Sequence, residues 1–163
     1  MSKDEILALL CGCGVPYEVF SHPAVTTVEE ADALRLPYPD AGAKNLFLRD
    51  GRKGCFLLTV REHAEVDLKK LRQRLGSGRL SLASEGDLES ILKLHRGSVT
   101  PFGLLNDTEH RVRFLLDESF RGEKIAVHPN ENTATLFLNA DDLVRVLSRF
   151  GIEPEYISSE ELA

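Results

Sequence analysis

The chain has 163 residues, of which 42% are hydrophobic and 28% charged, and its formal net charge is −6 at pH 7. This balance excludes an intrinsically disordered chain, which would combine fewer apolar residues with a larger net charge. No apolar run approaches the roughly 20 residues of a membrane-spanning helix, and an isoelectric point near 5.4 disfavours non-specific nucleic-acid binding. The acidic N-terminus does not resemble a signal peptide. We expect one domain over residues 1–163 in the cytoplasm, with neither a membrane nor DNA as a partner.

The three cysteines, Cys11, Cys13 and Cys55, do not form a framework. They contain no Cys-x-x-Cys pair and show no zinc-like spacing to a histidine. An odd number without a secretion signal predicts reduced, mostly buried thiols, with a reactive cysteine as the alternative. We therefore predict no metal site.

The first half of the chain alternates between helical and strand patterns. Two Ser/Thr-x-x-Glu capping boxes and two short apolar runs around a Gly-containing turn are the main signals. They predict a helix from Ser2 to Gly14, a strand at Tyr17–Phe20, a helix from Thr27 to Leu34, and a hairpin with strands at 45–49 and 55–60.

The second half continues this alternation. The predicted elements are a helix from Asp67 to Gly76, a strand at Leu80–Ala83, a helix at Ser84–Leu94, an irregular loop at Gly97–Gly103, strands near 112–117, 124–128 and 133–138, and a helix from Asn139 to Gly151. Several strands are joined too tightly for parallel crossovers. The sequence therefore predicts an α/β domain of α+β character, with a mixed central sheet covered by helices. No glycine-rich phosphate-binding motif follows a strand, so we expect no nucleotide cofactor.

Three features stand out as candidate chemistry. His128 ends an apolar strand and precedes a turn, which places it at the rim of the sheet. Lys44 and Asn45 begin another strand and could bind a phosphate or a hydroxyl group. The loop Gly97–Gly103 offers backbone N–H groups that can approach a developing oxyanion. For each feature, an ordinary structural role is the alternative.

Covalent catalysis and RNA contact are less well supported by the residues. No Gly-x-Ser-x-Gly motif is present, and Cys55 lies in an apolar run where a thiol is inert. The basic residues near 69–79 and 49–53 are either solvated faces or a phosphate-binding footprint for an RNA end.

Five segments resemble the YbaK/ProX superfamily of aminoacyl-tRNA editing domains, in the family's order. They are Ser21–Ala31, Lys44–Asp50, Val66–Leu71, Gly97–Asp107 and His128–Thr133. The Lys-Asn-Leu-Phe-Leu and Gly-Ser-Val-Thr-Pro-Phe-Gly strings are the most specific. The likeness spans about residues 15 to 150 and is greatest to the free-standing prolyl-tRNA editing branch of the superfamily. This resemblance implies a sheet that is partly barrel-like.

The resemblance also implies roles for ten residues. The family's anchoring lysine, Gly-x-x-x-Pro loop and pocket histidine give the expected catalytic residues Lys44, Gly97 and His128. The expected substrate-binding residues are Asn45, Thr26, Ser98, Val99, Thr100, Pro101 and Phe102. The sequence departs from the pattern at Thr26, where an aromatic residue is commoner, and at Lys93–Arg96, where relatives often have a proline-containing turn.

The implied function is hydrolysis of mischarged Ala-tRNA(Pro) to alanine and tRNA(Pro). An aminoacyl ester is already activated, so the reaction needs positioning, an oxyanion site and a water, without a covalent intermediate or a cofactor. The implied partners are the tRNA(Pro) acceptor end and, transiently, prolyl-tRNA synthetase. Alternatives are editing of Cys-tRNA(Pro) or Ser-tRNA, a non-catalytic tRNA-end-binding module, and a small-molecule esterase.

Overall fold

The computed structural model describes the backbone of residues 1–163 and every side chain except that of Val28. The strands are β1 (Glu18–Ser21), β2 (Ala43–Arg49), β3 (Cys55–Arg61), β4 (Ser81–Leu82), β5 (Val112–Asp117), β6 (Lys124–Val127), β7 (Ala134–Asn139) and β8 (Pro154–Ile157). The helices are α1 (Lys3–Gly12), α2 (Val28–Ala33), α3 (Leu68–Leu75), α4 (Glu85–Asp87), α5 (Ala140–Ser148) and α6 (Ser159–Leu162). None of the helices described here is long and apolar enough to cross a membrane.

The strands form two sheets, and neither closes into a barrel. A three-stranded antiparallel sheet has the order β1-β7-β6, and a five-stranded sheet has the order β4-β2-β3-β5-β8. In the larger sheet β2 and β3 form the predicted antiparallel hairpin, whereas β5 runs parallel to both β3 and β8. The predicted mixed sheet covered by helices is confirmed.

The hairpin register decides which side chains face each side of the larger sheet. Lys44 lies opposite Val60, and Asn45 lies opposite Thr59. Successive side chains of a strand point to opposite faces. Lys44 therefore shares a face with Leu48, which belongs to the smaller core beneath α3 and α6, while Asn45 shares the other face with the main core.

Local capping explains why most helices begin and end where the sequence predicts. The Ser2, Thr27 and Asp67 side chains accept backbone N–H groups at the starts of α1, α2 and α3. Gly76 ends α3 with a φ of +63°, a left-handed conformation that costs glycine little.

Two regions differ from the sequence prediction. The helix predicted at Ser84–Leu94 is the short α4 followed by a π-helical turn at Leu88–Leu92, which ends at Lys93 with a φ of 57°. The loop predicted at Gly97–Gly103 is partly a 3-10 helix, Pro101–Asn106, capped by Thr100. The strand β8 and the helix α6 were not predicted.

The cysteines are free, as expected, but only one is fully buried. Cys55 is 2% exposed, and its burial raises the pKa of the thiol. Cys13 is half-buried and Cys11 is exposed. The expectation of mostly buried thiols therefore fits Cys55 and is wrong for Cys11, which lies on the outer side of α1.

Candidate active site

A cavity of about 200 Å³ opens where the three-stranded sheet meets the start of β2. Its walls come from the segment Ala31–Pro39, from the β2–β3 hairpin at Asn45 and Glu62, and from His128 with the neighbouring part of β7. The volume is below the roughly 300–1,000 Å³ of most ligand pockets. The cavity is therefore suited to a small chemical group.

His128 lies just beyond the end of β6 and is held in one tautomer. Its Nδ1 donates to the Ala134 carbonyl oxygen at 3.0 Å, so in the neutral ring Nε2 has no proton and is an acceptor. Burial lowers the pKa of His128 below its ordinary value; the hydrogen bond to Ala134 opposes this shift, and the nearby His22 adds to it. A neutral imidazole with a free acceptor is suited to general-base chemistry.

A second histidine orients a threonine hydroxyl in the same wall. His22 Nδ1 donates to the Pro23 carbonyl oxygen at 2.8 Å, and Nε2 lies 2.8 Å from Thr135 Oγ1. In the neutral ring Nε2 accepts the hydroxyl proton of Thr135. The oxygen of Thr135, which lines the cavity, then offers only lone pairs to a ligand.

Asn45 is oriented by a buried neighbour on β3. The Thr59 hydroxyl, completely buried, donates to Asn45 Oδ1 at 2.5 Å. This bond occupies the amide oxygen, so the Asn45 NH₂ group is the donor that remains for the cavity. The cavity is therefore lined by a hydrogen-bond donor on Asn45 as well as by the acceptor on His128.

Two carboxylates of the cavity lining, Asp32 and Glu62, lie close to the exposed His63. Ligand atoms of Asp32, Glu62 and His63 lie within 4.8 Å of one another, a spacing that can hold a metal ion. Burial and the negative charge of Asp32 raise the pKa of Glu62, and His63 partly offsets them. Glu62 packs closely over Gly42, where a Cβ would collide with its carboxylate.

The structure does not bring Lys44 into this cavity. Lys44 Nζ donates to the Ala64 carbonyl oxygen at 2.5 Å, on the face of the sheet opposite Asn45. Ala64 lies two residues after Glu62, which directly follows the last residue of β3. Lys44 is therefore tied to the segment that positions a cavity residue.

The glycine loop lies at the edge of the cavity. Gly97 has a φ of +89°, and a Cβ there would lie 3.0 Å from Asn132 Nδ2. Asn132 in turn donates to the carbonyl oxygen of Val25, a cavity-lining residue, at 2.9 Å. Thr26, next to Val25, is exposed, and its hydroxyl and N–H bond to Glu30.

The rest of the loop packs inward. The Ser98 hydroxyl bonds to the His95 backbone, and Thr100 caps the 3-10 helix through the Phe102 N–H. Phe102 is fully buried, Pro101 is buried, and Val99 packs against the main core. The side chains from 98 to 102 therefore fix the loop and do not line the cavity.

Sequence reasoning singled out Asn45 and His128 and missed Glu62, Thr59 and Thr135. A polar residue inside an apolar strand, such as Thr59 in β3, was an available signal because a buried hydroxyl needs a partner. Glu62 had no such signal, since it is one of 26 acidic residues. Its place in the wall follows from the hairpin and from the packing of Gly42.

Comparisons with known proteins show which family the chain resembles. A family model described as "Aminoacyl-tRNA editing domain" matches residues 22–146. The prolyl-tRNA editing protein ProX of Acetoanaerobium sticklandii is 37% identical over 152 residues, covering 92% of this chain and 93% of its own. The prolyl-tRNA synthetase associated domain-containing protein 1 of Bos taurus is 36% identical, covering 89% and 88%.

A more distant relative is named for a different specificity. The multifunctional Ser/Thr-tRNA deacylase ProXp-y of Escherichia coli K12 is 24% identical, covering 100% of this chain and 95% of its own. Among solved structures, a protein described as a candidate trans-editing enzyme for prolyl-tRNA synthetase superposes with a TM-score of 0.68 at 21% identity, covering 94% of each chain. At that identity the structural likeness supports the fold alone.

Proposed function

This chain belongs to the aminoacyl-tRNA editing domain family, and we propose that residues 1–163 work as one domain that hydrolyses mischarged Ala-tRNA(Pro). Its general activity is that of an aminoacyl-tRNA deacylase, and its partner is a mischarged tRNA. The finer assignments, which are alanine, tRNA(Pro) and a transient association with prolyl-tRNA synthetase, are part of the proposal.

One observation supports this function best, namely the pairing of a donor and an acceptor in a small cavity. The Asn45 NH₂ group is free to donate to an ester carbonyl oxygen, and His128 Nε2 is free to accept a proton from water. Water-mediated ester hydrolysis needs these two functions.

The reaction follows from these two groups. Water attacks the ester carbonyl carbon while His128 Nε2 takes one of its protons, and Asn45 stabilises the negative charge that forms on the carbonyl oxygen. The bond from the carbonyl carbon to the ribose oxygen then breaks, and His128 returns the proton to that oxygen. The products are the free amino acid and the tRNA.

Two further expected residues act from outside the cavity in this proposal. Gly97, which was expected to donate its N–H to the oxyanion, acts instead by leaving room for the Asn132–Val25 hydrogen bond at the cavity edge, since a Cβ at Gly97 would lie 3.0 Å from Asn132 Nδ2. Lys44 acts as a positioning residue, because its ammonium group holds the Ala64 end of the segment that includes Glu62.

The size of the cavity favours a small aminoacyl group. Several wall residues have short side chains, among them Ala31, Ala43 and Ala126. An apolar pocket separates substrates mainly by volume, so the alanyl ester is accepted and the prolyl ring is disfavoured.

The test is a panel of tRNA(Pro) charged with alanine, cysteine, serine or proline. We expect single-turnover deacylation to be fastest for the alanyl ester, to be slowest for the prolyl ester, and to fall strongly in Asn45→Ala. Gln73→Ala, an exposed amide on α3, is the matched control and should keep the wild-type rate. Faster hydrolysis of the seryl or cysteinyl ester would overturn the alanine assignment, and binding without turnover would indicate a tRNA-end-binding module.

A further inference from the structure

Two hydrogen-bond acceptors of fixed orientation, on His128 and Thr135, line the cavity. The Ala134 carbonyl holds the proton of His128 on Nδ1, and in the neutral ring His22 Nε2 accepts a hydrogen bond from the Thr135 hydroxyl. The His128 Nε2 and Thr135 Oγ1 atoms that remain for a ligand are therefore acceptors. The orientations of the His128 ring and the Thr135 hydroxyl do not depend on the carboxylates of Asp32 and Glu62.

The Glu62 carboxylate adds a negative charge that lacks a close partner. Its side chain is 19% exposed, and no hydrogen-bond donor contacts it among the side chains that the structure describes. The exposed His63 ring is close by, with Nε2 at 3.8 Å from Glu62 Oε2. Asp32 lies close enough to repel it, so a cation in the cavity would relieve an unfavourable arrangement.

We propose that Glu62, with Thr135 as a second acceptor, binds the α-ammonium group of the aminoacyl ester. This assignment rests on the proposed function, since the ester supplies the cation. The α-ammonium nitrogen is two bonds from the ester carbonyl carbon. An ammonium group bound at Glu62 therefore keeps the carbonyl oxygen within the cavity that Asn45 also lines. Glu62 is in this way a specificity residue for the free amino group.

The chemistry of the amino group makes the proposal selective. A primary ammonium has three N–H donors, whereas the secondary ammonium of a prolyl ester has two and an acylated amine has one and no charge. The acceptors Glu62 and Thr135 therefore favour the alanyl ester over the prolyl ester through hydrogen bonding, in addition to the effect of cavity volume. It also disfavours an ester whose amino group is blocked.

The experiment compares alanyl-tRNA(Pro) with N-acetylalanyl-tRNA(Pro) in single-turnover deacylation. We expect the wild-type protein to prefer the free amine. Glu62→Gln keeps the shape and removes the charge, so the rate on the alanyl ester should fall roughly 10- to 100-fold, the range for a hydrogen bond to a charged group. The rate on the acetylated ester should barely change, so the ratio of the two rates collapses. Glu65→Gln, exposed on the same loop, is the matched control and should keep the wild-type ratio.

The outcomes separate this inference from the proposed function. Equal loss of rate on both esters would overturn the inference in favour of a general-base or structural role for Glu62, and wild-type rates on both esters would overturn it outright. If chelation abolishes wild-type activity and Zn²⁺ restores it, the cation at Asp32, Glu62 and His63 is a metal ion and the ammonium assignment is wrong. A wild-type protein that hydrolyses no aminoacyl-tRNA would contradict the proposed function itself.

Discussion

Replacing Thr59 by valine tests whether the orientation of Asn45 matters for catalysis. Valine has nearly the shape of threonine, so the change removes one hydroxyl from a completely buried position without opening a cavity. The lost bond to Asn45 Oδ1 is worth about 1 kcal/mol, the usual net contribution of one hydrogen bond to stability. For a chain of this length that corresponds to a fall of roughly 2–4 °C in melting temperature.

The effect on rate should be larger than the effect on stability. Loss of an oxyanion donor typically costs on the order of 10²–10³ in rate, which sets the expected loss for Asn45→Ala. Thr59→Val keeps the donor and releases its orientation, so we expect a loss of about tenfold or more that stays below that limit. The assay is single-turnover deacylation of alanyl-tRNA(Pro), with thermal melts on the same preparation and the exposed Thr108→Val as control.

The double variant makes the reasoning refutable. Once Asn45 is alanine, the hydroxyl of Thr59 has nothing to orient, so adding Thr59→Val should cost no further rate. It should instead recover stability, because Asn45→Ala alone leaves a buried hydroxyl unpaired at a cost of about 1–3 kcal/mol. Full activity in Thr59→Val would show that the bond has no role in catalysis, and an additional loss of rate in the double variant would show that Thr59 acts independently of Asn45.

Three other changes give distinct results. Protonation removes the acceptor on His128, and the pKa of His128 lies below the ordinary 6.5, so the rate should stay high at pH 6.5 and fall at lower pH. His128→Gln should remove that inflection from the pH–rate profile, and an inflection above pH 6.5 would contradict the assignment. Gly97→Ala places a methyl group against the Asn132 amide, at a residue with a left-handed φ. Both the melting temperature and the single-turnover rate should therefore fall. A near-normal rate with a lower melting temperature would show that the loop is not part of the site. Lys44→Ala frees the Ala64 end of the hairpin, so it should lower single-turnover deacylation strongly. The ratio of alanyl to N-acetylalanyl hydrolysis, which a purely structural role leaves unchanged, should fall as well.

Much of the site could be predicted because its groups lie at strand ends that the sequence marks clearly. His128 follows an apolar run and precedes a turn, and Asn45 begins a strand, so both were expected at the rim of the sheet. The alternation of a strand also implies that adjacent Lys44 and Asn45 face opposite sides. The expectation that both contact the ligand came from their shared position at the start of a strand and from the resemblance, and the structure places them on opposite faces of the sheet.

The remaining groups depend on pairings between distant segments. Thr135 gains its role from His22, which is 113 positions away in the chain. The π-helical turn at Leu88–Leu92 has the same apolar spacing as an α-helix, so periodicity alone could not separate the two. Such features are decided by tertiary packing, which a single sequence does not reveal.

The parallel pairing of β5 with β8 has a consequence for how the protein forms during synthesis. The β8 residue Ile157 and the α6 residue Leu162 are both buried in the smaller core, and the Asp67 N–H at the start of α3 donates to the Leu162 carbonyl oxygen. That core therefore stays open on the nascent chain until residues 154–162 have left the ribosome, and parallel pairing over such separations is slow to form. In this interval Leu71 and its neighbours are exposed, and a chaperone that binds apolar segments would be expected to act at that stage.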